Sequence, residues 1–147
     1  MDTETNLIAY CGLYCGDCHG YKQNVANLAR DLRKELRDSK FKKFADFISN
    51  YGFGKSYKNY DKCYEVLGAM VKFRCRKGCR NGGGPPFCKI RECCKKKEID
   101  GCWQCSSFEE CKKLDFLCGV HDDGHIKNLR LIKKKGTEAF VSGKRFW

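Results

Sequence analysis

The sequence predicts a mainly α-helical protein with small irregular or β zinc-knuckle elements, organised as a single compact, cysteine-rich, metal-bound domain. Three observations support this fold class. Apolar residues recur every three or four positions in several segments, 13 of the 147 residues are cysteine, and hydrophobic residues make up 41% of the chain. A chain of this length has the usual size of one domain and can bury a modest core. We therefore expect one domain over residues 1–147.

Cysteine spacing divides this predicted domain into four segments. Each segment is either rich in cysteine or has helical periodicity. In chain order they are a first cysteine cluster at 11–18, a helical insert at 21–73, a second cysteine cluster at 75–118 and C-terminal helices at 122–147.

The insert contains three stretches of helical periodicity. The first stretch has its apolar face at Val25, Leu28, Ala29, Leu32 and Leu36. Ser39 is a candidate N-cap for a second helix, which carries Phe41, Phe44, Phe47 and Ile48 and ends near the glycines of residues 51–54. The third stripe consists of Tyr60, Tyr64, Leu67 and Val71. Cys63 lies within this helix, and we expect it to be a buried free thiol.

Irregular structure and a helical tail are predicted beyond the insert. Residues 81–86 read Asn-Gly-Gly-Gly-Pro-Pro, which favours a loop because glycine is conformationally free and proline lacks a backbone donor. Helical spacing resumes at Ile126, Leu129 and Ile132. Asp122 or Asp123 is a candidate cap for this helix, Gly136 is expected to end it, and Thr137 is a candidate cap for a final turn.

The cysteines could form disulfides or hold metal, and the expected compartment decides between them. Residues 1–10 lack the basic start and the apolar run of a signal peptide, which predicts a cytoplasmic protein. The mean hydropathy of −0.63 and the lack of a long apolar run predict no membrane segment. Thiols stay reduced in the cytoplasm, so closely spaced cysteines there favour metal.

Four close cysteine pairs have spacings typical of metal ligands. Cys15 with Cys18 and Cys102 with Cys105 form CxxC pairs, while three and four residues separate the pairs Cys75/Cys79 and Cys88/Cys93. Tetrahedral zinc is held by four such donors, so two zinc ions are the simplest prediction. Cys94 is a doubtful ligand because adjacent residues seldom point at the same ion. Cys75 and Cys118 are left undecided.

Other cofactors match parts of the same pattern. The CxxxCxxC spacing at 11–18 occurs in radical-SAM enzymes, but those need a much larger barrel. A simpler iron-sulfur cluster stays open as an alternative to zinc because thiolates bind both. The sequence Cys-Gly-Asp-Cys-His at 15–19 also matches covalent haem attachment, which would require export. His121 and His125 could complete a metal site or could lie on the surface at a helix start.

The cysteine motifs also carry a family resemblance. The run Tyr-Cys-Gly-Leu-Tyr-Cys-Gly-Asp-Cys at 10–18 is followed by Gly78-Cys79, by Cys-Lys-Ile-Arg-Glu-Cys at 88–93, and by Cys-Trp-Gln-Cys at 102–105 with Phe108, Cys111 and Leu114. In this order the motifs resemble domain of unknown function 3795, a prokaryotic cysteine-rich family, across residues 8–118. The resemblance implies zinc binding without an assigned reaction. The residues it marks as metal ligands are Cys11, Cys15, Cys18, Cys79, Cys88, Cys93, Cys102, Cys105 and Cys111.

Two departures from the family pattern affect the ligand assignment. Glu110 precedes Cys111 where a proline is common, and Cys94 is an additional cysteine. Both departures leave the metal prediction unchanged, but more than one assignment of the ligand thiols stays open.

Three functional classes follow from these observations. The favoured class is a zinc-stabilised interaction module, because the sequence contains no nucleophile–base pair, phosphate-binding loop or paired catalytic carboxylates. A nucleic-acid-binding zinc protein is the first alternative, since the net charge of +12 would remain about +8 after two four-thiolate zinc sites form. Another anionic partner would suit the same charge. An iron-sulfur or thiol-redox protein is the second alternative.

Overall fold

The structure is a computed structural model that describes residues 4–147, so the first three residues of the predicted domain lie outside it. About two thirds of the described residues are helical, which confirms the mainly α prediction. The α-helices are α1 (His19–Lys22), α2 (Asn24–Asp38), α3 (Phe41–Ile48), α4 (Tyr60–Lys72), α5 (Lys89–Lys96), α6 (Cys118–His121), α7 (Gly124–Lys135) and α8 (Thr137–Ser142). Six 3₁₀ segments connect them, at Thr5–Leu7, Cys15–Asp17, Gly52–Asn59, Cys102–Gln104, Phe108–Glu110 and Lys112–Leu117.

The β elements expected beside the cysteines are reduced to a single bridge. Residues 4–147 contain no β-strand, and the pairing of Ile8 with Tyr14 is an isolated antiparallel bridge. The N–H of Ala9 donates to the carbonyl of Leu13 at 2.7 Å next to this bridge. The prediction of small β-hairpins was wrong because the cysteine turns are closed by 3₁₀ hydrogen bonds instead.

The chain divides into two compact units. The cysteine-rich unit comprises the chain as far as Tyr21 together with Cys75–Trp147, and the insert unit comprises Lys22–Arg74. The organisation of residues 1–147 as one domain stays a prediction. No helix in the described part of the chain is long and apolar enough to cross a membrane.

The core of the cysteine-rich unit is built from several short elements. Its most completely buried apolar side chains are Ile8, Leu114, Leu129 and Phe140. Burial of a side chain of this size contributes about 1.5–3 kcal/mol to folding. Six of the cysteines pack at the edge of this core and are partly buried, namely Cys11, Cys15, Cys79, Cys88, Cys105 and Cys111. The apolar interior therefore supports the cysteine loops from one side.

The C-terminal helices follow the sequence prediction closely. Helix α7 begins directly after Asp123 and ends before Gly136, whose φ of 86° is in the left-handed region that glycine tolerates. The Gly136 N–H donates to the carbonyl of Ile132 at 2.8 Å. Asp123 occupies the cap position but makes no side-chain cap hydrogen bond. Thr137 is the first residue of α8, and Gly136 rather than Thr137 precedes that helix.

The three helices of the insert unit are also confirmed, with two corrections. Lys40, not Ser39, precedes α3, and the Ser39 hydroxyl instead donates to the carbonyl of Glu35 at the end of α2. Cys63 is exposed rather than buried. The buried side chains of this unit are small, namely Ala26, Ala29 and Ala45. Larger apolar residues of the unit are therefore left at its surface.

Candidate metal centre

All thirteen cysteines are free thiols in the structure. The nine predicted ligands all lie in the cysteine-rich unit, where they fall into two neighbourhoods. The first sulfur group consists of Cys11, Cys15, Cys18, Cys75, Cys79 and Cys88, which interact electrostatically with one another. The second sulfur group consists of Cys93, Cys94, Cys102, Cys105 and Cys111, which line one cavity. The groups adjoin, because Cys102 also interacts with Cys11 and donates its N–H to the carbonyl of Tyr10 at 2.8 Å.

The two CxxC motifs adopt the same local structure in different groups. Each begins with a single 3₁₀ turn, at Cys15–Asp17 and Cys102–Gln104. In each turn the N–H of the second cysteine donates to the carbonyl of the first at 3.0 Å. A tight turn of this kind is typical of CxxC pairs that bind zinc.

Cys79 is the centre of the first sulfur group. Its backbone N–H donates to the Sγ of Cys15 at 3.3 Å, and its sulfur interacts with that of Cys88. Cys11 interacts with both Cys79 and Cys88. Cys18 interacts with Cys15. Four cysteines, including Cys79 itself, therefore converge on one small region.

Burial and hydrogen bonding alter the acidity of the thiols in this group. Burial raises the pKa of Cys11 to about 12 and that of Cys15 to about 11. Neither thiol is a spontaneous nucleophile at neutral pH, because the thiolate is the reactive form. Burial also tends to raise the pKa of Cys75, but backbone hydrogen bonds from Lys77, Gly84 and Gly78 together lower it below its ordinary value.

Arg91 holds the loop that connects two cysteines of the first group. This arginine is buried on α5, and its guanidinium donates to four backbone carbonyls in residues 79–86. The distances are 3.2 Å to Cys79, 2.8 Å to Gly83, 2.9 Å to Pro85 and 3.3 Å to Pro86. The predicted glycine- and proline-rich loop is irregular, and Arg91 satisfies the carbonyls that no secondary structure pairs.

Two further arginines brace the segments around the cysteines. Arg80 donates to the carbonyls of Ile8 and Asp100, each at 2.8 Å, and lies over the ring of Tyr10. Arg145, near the C-terminus, forms an ion pair with Asp17 inside the first CxxC turn at 2.7 Å. Charged hydrogen bonds of this kind constrain the turn from outside.

The second sulfur group surrounds a cavity of about 250 Å³. The cavity wall also includes the apolar side chains of Ile90, Phe108 and Leu114. The Sγ atoms of Cys94 and Cys102 lie 3.7 Å apart, and the Nζ of Lys97 lies 3.5 Å from the Sγ of Cys105.

Hydrogen bonds alter the acidity of this group as well. The hydrogen bond between Cys94 and Cys102 lowers the pKa of Cys94 and raises that of Cys102. Hydrogen bonds from Ser107, together with the nearby Lys97, lower the pKa of Cys105. Lys97 also interacts electrostatically with Cys93, Cys94 and Cys111, so its positive charge faces four of the five sulfur atoms.

The structure does not define a finished metal site. Among the described residues, no group of three or more His, Cys, Asp or Glu side chains is arranged so that it could hold a metal ion. The sulfur atoms of each group are therefore neighbours that are not arranged around a common point. The donor chemistry nonetheless fits zinc, which prefers thiolates in closely spaced turns.

The chain matches a known family. A family model described as "Protein of unknown function (DUF3795)" matches residues 7–116, about three quarters of the chain. The chain belongs to this family. Comparisons with curated proteins and with solved structures found no match. Both sulfur groups of this DUF3795 protein lie within the matched region, whereas α7 and α8 lie beyond it.

The two candidate histidines of this DUF3795 protein lie on α6 and α7. His125 is fully buried and His121 is half-buried, and the Nδ1 atom of each lacks a hydrogen-bond partner in the described residues. The ring of Trp147 packs edge-on against His121 at 4.7 Å between centroids. Cys118 is exposed. These residues form no metal site in the structure, and the surface alternative for His125 was wrong.

Sequence reasoning undervalued Cys94 and Arg91. Both lie on the buried face of α5, a helix that was not predicted because its segment was interpreted only as a cysteine motif. The spacing of Ile90 and Cys94, four residues apart, is the signal that could have identified this helix and placed Cys94 on its inner face.

Proposed function

We propose that this protein binds two zinc ions and that the ions are structural, fastening the loops of a small interaction module. The observation that carries the proposal is the gathering of all nine predicted ligands into two adjoining sulfur groups. Sites closed by four thiolates leave no coordination position for water and act architecturally.

The first ion would be held by four cysteines around Cys79. The proposed ligands are Cys11, Cys15, Cys79 and Cys88, because each of the other three interacts with Cys79 directly. Zinc binding would deprotonate the buried thiols of Cys11 and Cys15, whose pKa values are otherwise raised. Cys18 would then be a neighbour of the site rather than a ligand.

The second ion would be held in the cavity of the second sulfur group. The proposed ligands are Cys93, Cys102, Cys105 and Cys111. Support comes from Lys97, which interacts with three of them, and from Cys102, which interacts with Cys111. Cys94 would be the fifth sulfur of this group and would not bind the ion. Its hydrogen bond to the sulfur of Cys102 would hold that ligand in position.

Metal content and its link to stability test the proposal. Native mass spectrometry of protein purified without oxygen should find two zinc ions per chain. A strong chelator should lower the melting temperature, because metal binding and folding are coupled. The variant Cys63→Ser, which removes an exposed thiol of the insert unit, should leave both results unchanged. Iron with absorbance near 400 nm, or a metal-free protein of unaltered stability, would overturn the proposal.

A further inference from the structure

The insert unit carries a row of exposed aromatic rings. We define the aromatic face as Phe44, Phe47, Tyr51, Phe53 and Tyr57, whose exposed fractions are 49%, 60%, 46%, 83% and 37%. Aromatic side chains normally contribute their large apolar area to a core. In this unit the fully buried side chains are alanines instead, so the rings are available to a partner.

Ring contacts join the residues of the face into two groups. Phe47 and Tyr51 have centroids 5.4 Å apart, and Tyr51 and Phe53 are stacked at 5.8 Å with 24° between their planes. Phe44 packs against Tyr57 at 6.0 Å. Phe44 and Phe47 are three residues apart on α3 and therefore lie on the same side of that helix. The five rings thus form two contacting groups, and Phe44 and Phe47 connect these groups along α3.

Positive charge accompanies these rings. Residues 22–74 contain 13 Lys and Arg against six Asp and Glu. Lys43 lies on α3, Lys40 precedes it, and Lys55 and Lys58 share the Gly52–Asn59 segment with Phe53 and Tyr57. None of these four lysines forms an ion pair within residues 4–147, whereas Lys42 pairs with Asp46 and Asp61. Four of the five lysines near the rings in the sequence are therefore unneutralised.

The combination of exposed rings and unneutralised lysines indicates which class of molecule the aromatic face would bind. Unpaired nucleobases stack on aromatic side chains, while phosphates attract lysines along the same strand. A duplex keeps its bases stacked internally and offers nothing to the rings. An apolar protein partner would bury the rings but would not require the unneutralised charge.

We propose that the aromatic face binds single-stranded nucleic acid, with bases stacked on Phe47, Tyr51 and Phe53 and phosphates near Lys55 and Lys58. The face belongs to the insert unit, whereas every proposed zinc ligand belongs to the cysteine-rich unit. This proposal therefore stands or falls independently of zinc binding.

Binding of a fluorescently labelled 12-nucleotide oligo-uridine to the full-length protein tests it by anisotropy. Phe53→Leu keeps an apolar side chain but removes the ring, and it should weaken binding by about 5- to 150-fold. Phe53→Tyr keeps a ring and should retain the affinity. Leu28→Ala, at a position on α2 that is 71% exposed, is the matched control and should bind as the unchanged protein does.

Salt dependence tests the role of the lysines. Affinity should fall steeply with added salt, and Lys55→Gln with Lys58→Gln should each reduce the slope of log affinity against log salt by about 0.7. Circular dichroism checks that every variant is folded. Equal binding by Phe53→Leu and Phe53→Tyr would overturn the proposal, as would a preference for duplex. A dimer in solution that Phe53→Leu disrupts, without oligonucleotide binding, would instead identify a second copy of the chain as the partner and would equally overturn it.

Discussion

The sulfur atoms of Cys94 and Cys102 lie 3.7 Å apart at the cavity of the second sulfur group. Cys94 follows Cys93 directly on α5, yet Cys94 is buried whereas Cys93 is only partly buried. The adjacent cysteines therefore occupy different environments, and they should respond differently to substitution.

Substitutions of Cys93 and Cys94 distinguish a zinc ligand from a residue that only hydrogen-bonds to a ligand. We expect Cys93→Ser to lose one zinc ion per chain, because hydroxyl is a poor replacement for a thiolate ligand. Cys94→Ser should keep both ions, since its hydroxyl can still donate to the sulfur of Cys102. Cys94→Ala should retain the site with about 10- to 100-fold weaker zinc affinity. Native mass spectrometry and competition with a chelator measure both effects, and the reverse pattern would make Cys94 the ligand.

Arg91 provides a test of how the loop at 79–86 is held. Arg91→Leu removes the donor to four carbonyls and should lower the free energy of unfolding by about 2–3 kcal/mol. Urea unfolding followed by circular dichroism measures the change. Lys95→Ala, at an exposed position of the same helix, is the control and should stay within about 0.5 kcal/mol. Equal stability of the Arg91 and Lys95 variants would show that the loop does not depend on the guanidinium.

Gly12 lies between the first two cysteines and has no room for a side chain. Its φ is 85°, and an added Cβ would lie 2.8 Å from the side chain of Leu129. Gly12→Ala should therefore destabilise the protein by about 1–3 kcal/mol. Gly119→Ala is the matched control because it has open space and helical conformation, and it should be neutral or raise the stability by up to about 1 kcal/mol. Thermal unfolding compares the two, and similar melting temperatures would contradict the expectation.

The burial of His125 predicts that the protein loses stability in mild acid. Burial, followed by the nearby His121, lowers the pKa of His125 from its ordinary 6.5, while Asp123 and Asp115 oppose this shift. The unfolded chain therefore binds a proton at a higher pH than the folded chain does. Stability should fall as the pH drops below about 6.5, until His125 is also protonated in the folded state.

A histidine variant isolates this effect from any loss of metal in acid. The glutamine of His125→Gln does not titrate in this range. The free energy of unfolding of the variant should therefore depend less on pH between 7 and 5 than that of the unchanged protein, and the difference should correspond to the titration of about one group. His19→Gln removes an exposed histidine and should preserve the original dependence. Urea midpoints measured across this pH range provide the comparison. Parallel curves for all three proteins would exclude His125 as the cause.

Local periodicity was sufficient to predict four of the eight α-helices in residues 4–147. The apolar stripes of α2, α3, α4 and α7 were recognisable from their spacing of three and four residues, although members such as Leu28 and Phe47 are exposed. Helix α5 was not predicted because its eight residues contain two cysteines that were interpreted as a metal-ligand motif, although the spacing of Ile90 and Cys94 is helical. The burial expected for Cys63 was wrong because periodicity identifies a helical face but not whether anything covers it.

The sequence by itself determined the helical class and the cysteine turns, because these depend on spacing within a few residues. The order of the cysteine motifs along the chain indicated the family. Tertiary structure decided which distant cysteines become neighbours, such as Cys15 with Cys79 across 64 positions of the chain. It also decided that Arg91 is buried among loop carbonyls and that the rings of the insert unit are exposed. These relationships arise from packing between segments far apart in the chain, and no local pattern of residues records which surfaces will meet.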